Sequence, residues 1–343
     1  MAPESTPPPS GTLPVPTAAY GETGASPRGW SKSGAFFKCP FKYAAAYELN
    51  LQVGDRAPLL RGTLGHVGLY SFYERLRLQR LEQPHTHMPP PLDAMAAYAC
   101  ANPAAAPHLA DMHRVVAEYM QKYPGHLGAQ VVSTEHMCVG VIGFVEGNYG
   151  IWLVPPGIAD AIVAADGNLP DSALKDARGR AIIADRISVE GSPRKGFAIY
   201  CSRRLDIGFM DASGGIWEAD HKFKARVTSS VGEDYEDDGQ FGMARWFGAQ
   251  RWGDRFRGCM LNAIQTREVL KVERPILPAK PIPDATLPMD ISEAEQRRAW
   301  LQVHRNPWHW PRTRDEQVCK GRYGRCAVGK SGYCANGASN KVA

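Results

Sequence analysis

RRLDIGFMDASGGIWEADHKFKAR, residues 203–226, reads as two strands joined by a turn of small residues. Side chains alternate across a strand, so residues of one parity share a face. Leu205, Ile207, Phe209, Trp217, Ala219 and Phe223 form an apolar set, while Asp206, Glu218, Asp220 and Lys222 form a charged one. The pattern predicts a hairpin with one core face and one chemical face. A turn at residues 212–214 sets Asp206 opposite Asp220, roughly 5 Å away, where like charges repel. Buried charge is costly unless it is paired or bound to metal. A divalent cation between the two acids removes the repulsion, and magnesium, which takes one or two carboxylates with water and phosphate oxygens, suits the pair. Lys222 falls on the same face, where it can hold or deprotonate a water or steady charge building on a phosphate.

A chain of 343 residues, 44% apolar and 22% charged, can build one large core or two modest ones. Residues 1–30 are rich in Pro, Ser, Thr and Gly, with neither a cationic start nor an apolar run. They read as a disordered tail, without a signal peptide, and the chain shows no membrane span. The net charge is +5. Residues 312–343 carry seven Lys or Arg against Asp315 and Glu316, which is the whole surplus. So basic an end suits a polyanionic partner or a solvated surface.

Eight cysteines fall into two groups. Cys100, Cys138, Cys201 and Cys259 sit among apolar neighbours and read as small buried hydrophobes. Cys319, Cys326 and Cys334 crowd into a Gly-rich loop with little reason to bury thiols. Three thiolates need a fourth ligand for a tetrahedral or cubane centre, and Cys39 in FFKCPFKY is the best placed. One metal centre then joins the N- and C-terminal segments and closes a long loop, which stabilises the fold. Zinc, with His304 or His309 replacing a thiolate, is the alternative to an iron–sulfur cluster.

The remaining pattern predicts a helix–loop–helix from Ser31, a helix begun by Thr63, and a helical region from Ala94 to Tyr123 broken near residues 102–107. AQVVSTEHMCVGVIGFVEG reads as strand, residues 146–195 as an insertion, and QFGMARWFGAQRW as a helix. CMLNAIQT and REVLKVERPIL read as two further strands, PAKPIPDATLPMDIS as a linker, and EAEQRRAWLQVHRN as a charged helix. Glu135, in VVSTEHM, either assists the metal or sits on a strand surface. Tyr235 and the acidic run around it read as solvated.

Ser31, Ser33, Cys39, Pro40, Lys42 and Tyr43, then Gly62, Thr63 and His66, precede the acidic strand pair; Gln240 and the cysteine trio follow it. In this order the chain resembles the PD-(D/E)XK nuclease superfamily, specifically its RecB-like, phage-exonuclease branch with AddB-type iron–sulfur cysteines. The resemblance covers residues 31–334. It implies a single α/β domain over 31–343 with a restriction-endonuclease-like core, a mixed central sheet flanked by helices, and ends joined by a metal cluster.

By the same resemblance, His66, Asp206, Asp220 and the backbone carbonyl of His221 ligate Mg2+ or Mn2+. Lys222 is the catalytic lysine, Gln240 supports the site or touches DNA, and Cys39, Cys319, Cys326 and Cys334 hold a [4Fe-4S] cluster. The implied activity is hydrolysis of DNA phosphodiesters by a metal-activated water, as an exonuclease in recombination or DNA processing. A helicase or recombination protein would be the partner, in a bacterial cytoplasm and from a phage gene. From the residues themselves, Trp246, Phe247 and Trp252 either stack on DNA bases or, lying at helical spacings, belong to the core. The alternatives are a non-catalytic iron–sulfur DNA-binding module and a zinc-stapled scaffold.

Overall fold

The computed structural model describes residues 29–313 except 52–55, 126–128, 166–173, 188–196, 236–237, 268–269, 275 and 278–285, together with Cys319, Val328 and Cys334. The predicted tail up to residue 28, Cys326 and most of the cysteine-rich end lie outside the described residues. Helices α1 (Trp30–Lys38), α2 (Pro40–Tyr43), α3 (Ala57–Arg80), α4 (Pro91–Ala101) and α5 (Leu109–Lys122) come first. Strands β1 (Gln130–Val145) and β2 (Asn148–Leu153) follow, then α6 (Pro156–Ala164) and the two-residue strands β3 (Ile183–Ala184), β4 (Arg186–Ile187) and β5 (Phe197–Ala198). The chain continues through β6 (Tyr200–Met210), β7 (Ile216–Lys224), α7 (Gly239–Trp252), β8 (Phe256–Gln265), β9 (Val272–Glu273), β10 (Ile276–Leu277) and α8 (Thr286–His304).

The result is a mixed α/β fold whose central sheet runs β10-β8-β7-β6-β1-β2. β7 and β8 are parallel, as the crossover through α7 requires, and the pairs β6–β7, β6–β1 and β1–β2 are antiparallel. Helices cover both faces. Ile207, Phe209, Ala219 and Ile264 pack beneath α3, α4 and α5, while Leu205, Cys201, Leu261 and Ala263 pack beneath α7 and α8. The segment 146–195 supplies the edge strand β2 and helix α6 beside β1.

The 203–226 hairpin has the expected register: Ile207 pairs with Ala219, and Phe209 with Trp217. Its turn is built by Asp211, whose Oδ1 accepts the N–H groups of Ser213 and Gly215 while Oδ2 accepts the Trp217 indole N–H. The Ser213 hydroxyl, which donates to Oδ1 at 2.7 Å, and then the Trp217 indole do most to pull the Asp211 pKa down to about 2.

The expected division into one core face and one chemical face does not hold. Glu218 and Asp220 are only 2% and 3% exposed, because α7 lies over them. Nor do the odd residues of β6 share a face, since Leu205 joins the α7–α8 core and Ile207 the α3–α5 core. The alternation slips at Asp206.

Several boundaries shift for local reasons. α3 begins at Ala57, six residues before Thr63, because Pro58 is pre-set for a first helical turn. Thr63 is interior and donates its hydroxyl proton to the Leu59 carbonyl. Gly29, not a serine, precedes α1 and gives no side-chain cap. TLPMDIS opens α8 instead of ending a linker, its proline falling where a missing N–H is harmless. REVLKVERPIL yields two short strands, both paired with β8.

Candidate active site

The slip at Asp206 has a partner on the next strand. Thr134 pairs with Ile207 and His136 with Leu205, so Glu135 lies between them, across from Asp206. Glu135 has φ of 42°. Thr134 reaches Glu74 on α3, whereas His136 lies opposite Leu205 of the α7–α8 core. The same one-residue step therefore occurs in both strands at the two acids.

On its other side Asp206 spreads β6 from β7. The recorded pairing stops at Ile207 and Ala219, and Oδ2 of Asp206 accepts the backbone N–H of His221 at 2.6 Å. A side-chain oxygen thus satisfies a donor that the parted ladder leaves. The same oxygen lies 3.4 Å from Nδ1 of His66.

His66 is delivered by α3, and Gly65 decides how closely. A Cβ on Gly65 would stand 2.2 Å from the Phe223 ring, so only glycine lets α3 settle on β7 here. The His66 ring then meets Phe223 edge-on at 5.6 Å. Ligating atoms of His66, Glu135 and Asp206 all lie within 4.8 Å of one another; among the described residues no other trio of His, Cys, Asp or Glu does so.

Asp220 is the neighbouring acid on β7, and it is engaged by donors. Lys222 pairs with it, Arg203 Nη2 lies 3.3 Å from Oδ2, and Gln240 Nε2 donates to Oδ2 at 2.8 Å. Gln240 stands in the first turn of α7, whose N-cap Asp238 accepts the Gln240 backbone N–H. His66, Glu135, Asp206, Asp220, Lys222 and Gln240 thereby line one open cavity of about 360 Å³.

The electrostatics divide the acids. Burial pushes Glu135 well above the usual carboxyl range, and Asp206 beside it pushes the same way. Asp206 is also raised, by burial first, with His66 opposing. Burial acts upward on Asp220 too, but Lys222 and Arg203 outweigh it and lower its pKa. Two adjacent carboxyls that resist ionisation, beside an imidazole nitrogen, form a donor set that a divalent cation would complete.

Behind the site, the His221 ring is 2% exposed and stacks on Tyr73 at 5.5 Å. Its Nδ1 lies 2.7 Å from Asn262 Nδ2, which also donates to the Tyr119 hydroxyl at 2.9 Å. Arg274 joins by Nε to Asn262 Oδ1 and by Nη2 to Tyr119. This network fixes His221, and through its N–H the position of Asp206.

The structure thus gathers His66, Asp206, Asp220, His221, Lys222 and Gln240, six residues spread over 175 positions of sequence. It adds Glu135, for which the available signal was an acid inside an apolar strand, and Arg203, for which there was none. Of the two readings of Trp246, Phe247 and Trp252, packing is the one the structure favours. Phe247 is fully buried, Trp246 packs on Gly150, and Trp252 donates its indole N–H to Glu218. Tyr235 is partly buried edge-on to Phe241, not simply solvated.

Cys39, Cys319 and Cys334 line a second, small cavity of about 20 Å³, and none is in a disulfide. Their three sulfurs do not all lie within 4.8 Å of one another. Cys138 and Cys259 are buried thiols with pKa pushed up to about 12, whereas Cys100 is exposed at the end of α4, correcting its expected burial. Among the described residues no helix is long and apolar enough to cross a membrane. No protein-family model matches the chain, and no curated protein matches it.

Proposed function

We propose that the chain is a metal-dependent deoxyribonuclease, an exonuclease of the PD-(D/E)XK type that hydrolyses DNA phosphodiesters in recombination or DNA processing. The observation that carries this reading is the convergence of His66, Glu135 and Asp206 on one point, with Asp220 and Lys222 beside them in the same open cavity. The oxygen-rich set suits Mg2+ or Mn2+. His66, Glu135 and Asp206 would hold the ion, and Asp220 flanks it. When bound, the ion supplies a Lewis acid that polarises a phosphoryl oxygen and acidifies water.

The protein groups do the rest. Asp220 fixes the ammonium of Lys222, which then orients water by hydrogen bonding and balances negative charge gathering on the phosphate. Gln240 and Arg203 hold Asp220 in place. His221 contributes its N–H to Asp206.

Cys39, Cys319 and Cys334, which line one small cavity, are proposed with Cys326 to bind an iron–sulfur cluster, on the resemblance of the cysteine pattern. The cluster is structural, tying the C-terminal loop to the end of α1. By the same resemblance, a helicase or recombination protein in a bacterial cytoplasm is the proposed partner. The test is cleavage of labelled DNA by the purified chain with Mg2+ or Mn2+, with EDTA and Lys222→Ala as controls. Cleavage that persists in EDTA, or in the variant, refutes the reading.

A further inference from the structure

Besides its histidines, the cavity is lined by three acids, Glu135, Asp206 and Asp220, and three cations, Arg203, Arg204 and Lys222. Two of the cations serve one acid. Lys222 pairs with Asp220, and Arg203 reaches the same carboxylate with Nη2 3.3 Å from Oδ2. Arg203 is buried under α7, its guanidinium 5.8 Å over the Phe241 ring. Arg204, the next residue of β6, turns the other way by the alternation of the strand and is only half-buried. It pairs with Met137 of β1, two residues beyond Glu135. Such a diagonal puts about 7–8 Å between backbones, within the span of a long side chain. Burial and Asp206 push the Glu135 pKa up, and Arg204 is the cation that pulls against them. The point on which His66, Glu135 and Asp206 converge therefore has a cation on each flank: the Lys222 ammonium from β7, and the Arg204 guanidinium from β6 on the side of β1.

We propose that Arg204 binds a phosphate group of the DNA substrate, on the opposite flank of the site from Lys222. The inference rests on the nuclease reading of the same cavity. Lys222 and Arg203 are both tied to Asp220, whereas Arg204 faces Glu135, an acid that a bound divalent ion would claim. A cation held by Glu135 meets that carboxylate's charge, and the guanidinium can then turn its donors to an anionic substrate. Its planar fork matches two phosphate oxygens at once, which an ammonium does not. With Lys222 at the phosphate that reacts, Arg204 takes a neighbouring one on the β1 side. It thereby contributes to affinity and to the register of the strand more than to the chemical step.

The test is fluorescence anisotropy with a labelled duplex over a range of NaCl concentrations. It uses the full chain carrying Lys222→Ala, so that DNA is bound without being cut, with micromolar Mn2+ present. Each phosphate contact contributes about 0.9 to the slope of log affinity against log salt. Adding Arg204→Met is expected to weaken binding about tenfold and to flatten the slope by about one contact. Arg204→Lys keeps the charge, so it should restore the slope while recovering only part of the affinity. Circular dichroism and Mn2+ binding on the same preparations check the fold and the metal centre. An unchanged slope in the Met variant overturns the proposal. So does a change confined to Mn2+ affinity, which marks an arginine that merely partners Glu135. With Lys222 in place, Arg204→Met should need more DNA to saturate cleavage and lose little of its maximal rate. Metal-dependent cutting together with an unchanged slope removes Arg204 and leaves the nuclease. A flattened slope in a chain that neither Mg2+ nor Mn2+ activates keeps Arg204 as a phosphate ligand and removes the nuclease.

Discussion

Oδ2 of Asp206 accepts the backbone N–H of His221 at 2.6 Å, bridging two strands where their ladder has parted. The bond makes the position of one proposed ligand depend on the residue before the proposed catalytic lysine.

Lys222→Ala should leave DNA binding and folding in place and reduce cleavage by at least about a hundredfold, as expected for loss of a charge that acts mainly in the transition state. Single-turnover cleavage and anisotropy on one preparation separate the two effects. A variant that cuts at the wild-type rate would remove Lys222 from the chemistry.

Glu135→Gln tests the metal centre without DNA. Its carboxylate faces His66 and Asp206, so Mn2+ affinity, read from the free-ion paramagnetic resonance signal, should fall roughly 10–100-fold. Unchanged Mn2+ binding would make Glu135 a bystander. Far-ultraviolet circular dichroism verifies that the sheet is retained.

Asn262→Ala breaks the network behind His221. Losing its bonds to Tyr119, Arg274 and His221 should cost about 1–3 kcal/mol in urea unfolding, because buried partners are left unsatisfied. Cleavage should fall more than DNA affinity does, since the perturbed element positions Asp206 and not the strand.

Glu218 gives stability a pH signature. Burial raises its pKa from 4.5 to about 7, against the pull of Trp252, Arg251 and Arg203. Between these values the folded state holds a proton that the unfolded state has released, so this group's contribution to stability declines as pH rises through that window. At about 1.4 kcal/mol per pH unit, the full effect is about 3 kcal/mol. Glu218→Gln keeps the oxygen that accepts from Trp252 and should lose the decline. Urea unfolding at pH 5 and pH 8 measures it; identical pH dependence in both proteins would show that Glu218 is ionised normally.

Cys39→Ala should abolish any visible iron–sulfur absorbance in anaerobically purified protein and lower the thermal midpoint. Retained colour would place the cluster on other thiols.

How far the sequence could reach depends on which residues act locally. The hairpin register was legible because the small-residue turn and the period-2 pattern both specify it. His66 and Gln240 came only through resemblance, since a histidine on an apolar helix and a glutamine near a cap carry no signal of their own. The buried second face was illegible: a charged stripe looks solvent-facing until α7 folds over it, and Glu218 and Asp220 become tolerable only with Trp252, Arg203 and Gln240 nearby. Glu135 stays open between two readings in the sequence because a period-2 argument cannot foresee a step in the period.

That step also sets a tension within the chain. A non-glycine residue at φ 42° occupies a left-handed conformation that costs of order 1–3 kcal/mol. Replacing Glu135 by glycine would relieve that penalty and remove a donor from the centre in the same stroke. In the proposed metal centre, Glu135 would thus exchange that much stability for a ligand.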